Sequence, residues 1–208
     1  MARLKIFTIL LVAATSCTSP YKHLQESAGA APDCVLRLAP QFDKVIYSTQ
    51  VDVIGKHLSG LLIFKTMDDG SKRAVFTSET GPTLFDFEFK GDSFKKHFCI
   101  EKLDRKAVIN TLRRDLSLLL MEGVGEASGK VWKDEHYLYF PFQKGKETAW
   151  YLTDHGCRQL LRIENASRHK KKTILSFPPI QNTLPDSALI EHQNFNFAIR
   201  LTRLEKGS

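Results

Sequence analysis

Two histidine–cysteine pairs are the residues of this chain best suited to metal chemistry. His97 and Cys99 flank one residue in "HFC", and His155 and Cys157 do so in "HGC". Side chains two residues apart on a β-strand point to the same face, so each pair could offer two ligands to one zinc ion. We favour the alternative, in which the two cysteines and Cys34 form one disulfide and one buried thiol, or three buried thiols.

The other motifs with catalytic spacing do not complete a reactive site. Asp86 and Glu88 form a carboxylate pair of the kind used in acid–base catalysis, but beside a turn and opposite phenylalanines they fit a solvated strand face. The segment "GVGEASGK" departs from a phosphate loop, because three residues separate Gly125 from Gly129 where four are required, and Val131 replaces the hydroxyl residue. Gly-x-Ser-x-Gly and His-Glu-x-x-His motifs are also missing from the sequence. We therefore predict neither an enzyme nor a cofactor.

The N-terminus has the organisation of an export signal that ends at a cysteine. A short basic start precedes an apolar run at 6–14, which is too short to span about 30 Å of hydrocarbon as a helix. The segment "ATSC", which ends at Cys17, resembles a bacterial lipobox with alanine where leucine is usual. The resemblance implies a removable signal peptide at 1–16 and a diacylglycerol membrane anchor on Cys17. The alternative is an ordinary signal peptide with a chance cysteine.

The remainder divides into a tether and one domain. Residues 18–33 lack apolar periodicity, so we predict a lipidated cysteine and flexible tether at 17–33 and a single domain at 34–208. The whole chain has a formal net charge of +7. Its basic run at 168–172 could contact anionic head groups, or could serve solubility and edge-strand protection. Nucleic acid is a poor partner for an exported lipoprotein.

The elements that position these residues are mostly β-strands. In "DKVIYSTQVDVIGK" and "TLFDFEF", apolar residues alternate with polar ones, which is the period of a strand with one buried face. "MDDGSK" and "FKGDSF" are turn sequences between such runs. Further runs of the same kind follow Gly129, so we expect about ten strands in an antiparallel meander, without an internal repeat.

One helix interrupts the strands. We predict that Asp104 caps it, and that its apolar and polar residues lie on opposite sides. The apolar side is predicted to hold Val108, Ile109, Leu112, Leu116, Leu119 and Leu120. The polar side is predicted to hold Lys106, Asn110, Arg113, Arg114 and Ser117. The predicted fold is mainly β (α+β), a strongly curved antiparallel sheet or unclosed β-barrel with this long helix packed in its concave face.

This order of elements resembles the bacterial lipoprotein-localisation family, LolA and LolB. The resemblance runs over about residues 43–204, and "HLSGLLIFKTMDDGSKRAVFTSETGPTLFDFEF" is similar to the early LolB hairpins, with a Gly-Pro turn. That family folds as an unclosed β-barrel with a helical lid, whose apolar cavity holds acyl chains. The turn "SETGPT" lacks the exposed leucine that LolB carries there, and Leu84 is the nearest candidate.

The resemblance implies a cavity that binds or transfers acyl chains of lipids or lipoproteins. The candidate lining residues, each of which could instead be ordinary core, are Phe85, Phe87, Phe89, Leu112, Leu116, Phe140 and Phe142. We expect a monomer on the periplasmic face of the outer membrane, because Thr18 follows Cys17 where inner-membrane retention needs aspartate. Surface display is an alternative. A second hypothesis is a membrane-anchored scaffold or interaction module of the envelope without lipid cargo.

Overall fold

The computed structural model describes residues 18–53, 55–125, 129–178 and 184–204. These residues form thirteen strands in one sheet, a short 3-10 helix and one α-helix. The strands are β1 Gln25–Glu26, β2 Lys44–Val53, β3 Lys56–Thr66, β4 Lys72–Ser78, β5 Thr83–Lys90, β6 Ser93–Cys99, β7 Trp132–Lys133, β8 Leu138–Lys144, β9 Glu147–Thr153, β10 Leu160–Ala166, β11 Lys171–Ser176, β12 Ser187–His192 and β13 Phe197–Arg203. The 3-10 helix is Pro32–Leu38, and α1 is Lys106–Leu119.

The sheet is antiparallel and does not close. Its strands follow the order β1-β7-β8-β9-β10-β11-β12-β13-β2-β3-β4-β5-β6, so β1 and β6 are its two edges. The predicted curved, unclosed sheet with one long helix is confirmed, with thirteen strands rather than about ten. The strands that were missed are β1, which has only two residues, and β12, whose alternation is obscured because polar His192 lies on the buried side.

The inner face of the sheet carries the core. Across β10 to β13, Ile163, Leu175, Ile190 and Ile199 are cross-strand neighbours and lie on the same face. All four are buried. Burial of side chains of this size stabilises a fold by roughly 1.5–3 kcal/mol each. Such rows continue through the phenylalanines of β3 to β5, so one apolar cluster extends over most of the sheet.

Helix α1 packs its apolar side against this inner face, and its buried leucines belong to the same cluster. The predicted cap is wrong, because Arg105 occupies the N-cap position and no side chain caps the helix. Asp104 instead forms an ion pair with Lys96 of β6, at 2.5 Å. Within the described ranges, no helix has the length and apolar character needed to cross a bilayer.

The predicted tether is partly folded onto the outer face of the sheet. Tyr21 stacks on Trp150 of β9, with ring centroids 4.3 Å apart, and its hydroxyl donates to Glu164 of β10 at 2.8 Å. Leu24 is buried beside these rings, and β1 pairs with β7. The sequence did not indicate this packing because Tyr21 and Leu24 are isolated apolar residues without a period. From Tyr21 onward, the segment is therefore part of the domain.

One disulfide links distant parts of the chain. Cys34, in the 3-10 helix, is bonded to Cys157, in the turn between β9 and β10. Cys99, at the end of β6, is a half-buried free thiol. This is the first of the two cysteine arrangements favoured over zinc. The zinc interpretation is wrong, because the sulfur of Cys157 is already bonded.

Gly60 allows β3 and β4 to approach closely. A Cβ atom at this position would overlap the carbonyl oxygen of Thr77 and lie 2.9 Å from the ring of Phe76. The neighbouring pairing of β4 with β5 shifts register between these same two residues. We predict that Gly60→Ala lowers the free energy of unfolding by about 3 kcal/mol, because the added methyl group displaces a backbone carbonyl.

This effect can be measured by urea denaturation against a matched variant. Gly29→Ala is the control, because nothing lies within 4 Å of a Cβ at that position. It should change the unfolding free energy by less than about 0.5 kcal/mol. Equal stability of the two variants would contradict the proposed close approach.

Candidate functional site

The predicted acyl-binding residues belong to the apolar cluster that α1 and the sheet share. Phe85, Phe87 and Phe89 point inward from β5, and the rings of Phe85 and Phe87 stack with centroids 4.4 Å apart. Phe140 and Phe142 point inward from β8, and Leu112 and Leu116 face them from the helix side. The structure therefore unites all seven residues in one apolar cluster, although they come from three separate elements.

These seven side chains are packed as core. Their exposed fractions range from 0 to 8%. None of them lines either of the two clefts described below. With α1 in place, these side chains leave almost no surface exposed for contact with an acyl chain.

The centre of the α1–sheet interface contains a buried polar pair. Asp115 of α1 and His192 of β12 lie 2.7 Å apart through Oδ2 and Nε2, and their side chains are 0% and 1% exposed. Burial raises the pKa of Asp115, against the opposing effects of His192 and Arg114. Oδ1 of Asp115 and the hydroxyl of Thr173, the cross-strand neighbour of His192, have no hydrogen-bond partner. The interface between α1 and the sheet thus includes buried polar groups whose hydrogen-bonding capacity is only partly satisfied.

A polar cleft of about 580 Å³ lies beside α1. It is lined by α1, the turn between β5 and β6, the turn between β8 and β9, Glu147 of β9 and Asn165 of β10. The helix contributes the buried Leu118 and four polar residues, Asn110, Arg113, Arg114 and Ser117. The four polar residues belong to the polar side predicted from the sequence. That prediction placed them on the helix but did not indicate the turns that complete the cleft.

Ionic contacts hold the segment after α1 to the sheet. Lys72 of β4 lies 2.8 Å from one carboxylate oxygen of Glu122, and the backbone amide of Gly91 donates to the other at 2.8 Å. The ammonium group of Lys144, at the end of β8, donates to the carbonyl oxygen of Glu122. Burial lowers the pKa of Lys144, while Asp92 and Glu122 oppose this effect. These contacts join both turns of the cleft to the segment that follows the helix.

The second cleft, of about 570 Å³, contains three histidines near the N-terminal segment: His23, His136 and His155. The ring of His155 lies 3.1 Å from the carbonyl oxygen of Glu135, and that of His23 lies 4.0 Å from Asp134. The histidines do not converge on a common point. In the described part of the chain, no group of three or more ligand side chains is arranged to hold a metal ion.

The remaining residues singled out in the sequence have structural partners. Asp86 forms an ion pair with Arg73, and Glu88 lies 2.9 Å from His97, so the carboxylate pair is part of an ionic strand face. Leu84, the nearest apolar candidate to the predicted release turn, lies in β5 and packs partly against the core. In the basic run, the last two lysines form ion pairs with Glu164 and Glu147.

Cys17 and the predicted signal peptide lie outside the described residues.

Comparison with known proteins identifies no family. No family model matches the chain, and no curated protein matches it. Among solved structures, it is similar to a DUF1329 family protein from Desulfovibrio piger, with 10% sequence identity and a TM-score of 0.39. The match covers 84% of this chain and 90% of that chain. A likeness at this TM-score carries no argument about function.

Proposed function

We propose that this chain is a cell-envelope lipoprotein that binds an acyl chain of a lipid or lipoprotein between α1 and the inner face of the sheet. The observation that carries the proposal is the single apolar cluster shared by the helix and the sheet. A displaced α1 would uncover a continuous apolar face. Each methylene buried there in exchange contributes about 0.8 kcal/mol, so one acyl chain contributes several kcal/mol.

The polar contacts of α1 support its role as a lid. Burial of the Asp115–His192 pair removes both groups from water, and Oδ1 of Asp115 gains no partner in return. Such incompletely paired polar groups make a helix–sheet interface less stable than an all-apolar interface of the same size. The free energy needed to lift α1 is correspondingly smaller.

The proposed location follows from the leader. Export and lipidation at Cys17 would place the domain at a membrane surface, and Thr18 after the cysteine favours the periplasmic face of the outer membrane. Dual or triple acylation is sufficient for stable anchoring of a soluble domain.

A reversible lock on α1 tests the proposal. An ideal Cβ on Gly123, just after α1, lies 3.4 Å from Cγ of Asp92, in the turn between β5 and β6. Cysteines at these two positions are close enough for a disulfide. In the full chain with Cys99→Ser, we expect oxidised Asp92→Cys/Gly123→Cys to bind a fluorescent fatty acid at least about tenfold more weakly than after reduction.

The matched control is Gly123→Cys with Cys99→Ser, which carries the same glycine replacement but cannot form the lock. Its fatty-acid affinity should be the same before and after reduction, which also controls for reduction of Cys34–Cys157. Binding that is equally tight in the locked and reduced forms would contradict the lid. No fatty-acid binding in any form would contradict the proposed function.

The second candidate is a membrane-anchored interaction module without lipid cargo. The specific observation in its favour is the tight burial of the seven predicted lining residues. An absence of fatty-acid binding, together with native mass spectra free of lipid, is the result that this candidate predicts.

A further inference from the structure

The polar side of α1 presents two adjacent arginines to the cleft between the two turns. Asn110, Arg113, Arg114 and Ser117 follow the i, i+3, i+4, i+7 spacing of one helix face, and all four line the cleft. None of these four residues belongs to the apolar cluster shared by α1 and the sheet. The proposed acyl-binding function therefore does not use these side chains.

Both guanidinium groups retain unused donors. Arg113 donates to the carbonyl oxygen of Asp92 at 3.3 Å, and its guanidinium carbon lies 5.1 Å from the centre of the Phe94 ring. Within the described residues, Arg113 has no carboxylate partner. Arg114 lies 3.7 Å from Glu147, beyond hydrogen-bond distance, and its Nε is buried without a partner.

The cations that line the cleft outnumber its carboxylates. Glu147 already accepts from Asn165 at 2.5 Å and forms an ion pair with Lys172. Lys144 adds a third cation to the lining, and the other acidic lining residue is Asp92, which lies beside Lys144. The balance around the two arginines is positive.

We propose that Arg113 and Arg114 bind a phosphate group in this cleft. Paired guanidinium groups match the geometry of phosphate oxygens and can each donate two parallel hydrogen bonds. This inference rests on the proposed function for one source of the phosphate, the head group of a lipid whose acyl chain lies under α1. A free phosphate compound presents the same chemistry.

The geometry also links phosphate binding to the position of α1. The long contact of Arg114 with Glu147 connects the helix to the start of β9, and Arg113 connects it to the turn between β5 and β6. A phosphate that takes both guanidinium groups competes with these contacts. Head-group binding would thereby loosen two connections between α1 and its surroundings while the acyl chain enters.

The test compares ligands that differ only in phosphate. With the full chain, we would measure displacement of the fluorescent fatty acid by phosphatidic acid and by diacylglycerol with the same acyl chains. Inorganic phosphate binding would be measured separately by calorimetry. We expect the wild-type chain to prefer phosphatidic acid by about tenfold or more, and Arg113→Gln/Arg114→Gln to bind both lipids equally.

Two further variants separate the role of the cleft from general effects. Arg37→Gln/Arg158→Gln removes the same charge from two exposed residues that form ion pairs with Asp33 and Asp154 and do not line the cleft. It should keep the preference. Arg113→Lys/Arg114→Lys keeps the charge but loses the planar donor pair, so it should lose most of the preference.

The possible results distinguish failure of the phosphate site from failure of the acyl site. Equal binding of the two lipids by the wild-type chain, without phosphate binding, would overturn the phosphate site and leave the acyl site standing. Phosphate binding that depends on Arg113 and Arg114, without binding of either lipid, would support the site for a free phosphate compound and overturn the acyl function. An absence of all binding would overturn both.

Discussion

Removal of the Cys34–Cys157 bond is expected to lower the free energy of unfolding by roughly 4–5 kcal/mol. The two cysteines are 123 residues apart in sequence, so the bond restricts a large part of the unfolded chain. It also fastens the 3-10 helix to the turn between β9 and β10. The measurement is guanidinium denaturation of Cys34→Ser/Cys157→Ser beside the wild-type chain, without reductant.

Cys99→Ser provides the matched control for this change. Cys99 is half-buried and has no disulfide partner, so its replacement should alter stability by less than about 1 kcal/mol. If Cys34→Ser/Cys157→Ser were as stable as this control, the predicted contribution of the disulfide to the free energy of unfolding would be contradicted.

Loss of the imidazole of His192 is expected to lower the free energy of unfolding by nearly as much as loss of the disulfide. His192→Ala should lower the unfolding free energy by about 3–5 kcal/mol at pH 7, because the carboxylate of Asp115 stays buried without its partner. The side chains of both residues are almost completely enclosed between α1 and the sheet. Thermal and urea denaturation followed by circular dichroism would measure the loss.

Asp115→Asn is the informative comparison. Asparagine keeps the shape and one hydrogen bond but removes the buried charge, so the cost at pH 7 should be less than about 1 kcal/mol. Equal and large losses in Asp115→Asn and His192→Ala would contradict an electrostatic origin. They would indicate that packing at this position is the larger effect.

The pH dependence has a definite sign. Because burial raises the pKa of Asp115, the folded protein binds this proton more tightly than the unfolded chain does. The resulting stabilisation is fully present below the unfolded pKa of about 4 and is lost as the pH rises through the folded pKa. Relative to the wild-type chain, Asp115→Asn should therefore gain stability as the pH increases from 4.

The strand pattern was predictable where one face is apolar and the other polar. "TLFDFEF" became β5 with its three phenylalanines buried, and the leucine side of α1 meets the sheet. The pattern failed at β12, because the polar side chain of His192 occupies a buried position, where it pairs with Asp115. A local period cannot reveal a partner 77 residues away.

The polar cleft and the disulfide could not be predicted in full, because both depend on which distant segments the fold brings together. The polar residues of α1 were identified, but the cleft requires two turns that lie on opposite sides of α1 in the chain. The disulfide was one of several possible arrangements, because pairing depends on which turns the topology brings together. The predicted Asp104 cap failed because an available lysine on the preceding strand attracts its carboxylate.

The stacking of Tyr21 on Trp150 restricts the orientation of a lipidated molecule. Only three residues separate Tyr21 from Cys17, and four extended peptide units span at most about 14 Å. With an acyl anchor on Cys17, the side of the sheet formed by β9 and β10 would be held close to the bilayer. A long flexible tether would not restrict the domain in this way. The opposite side of the molecule would then face the surrounding compartment, at a restricted distance from the bilayer and in a restricted orientation to it.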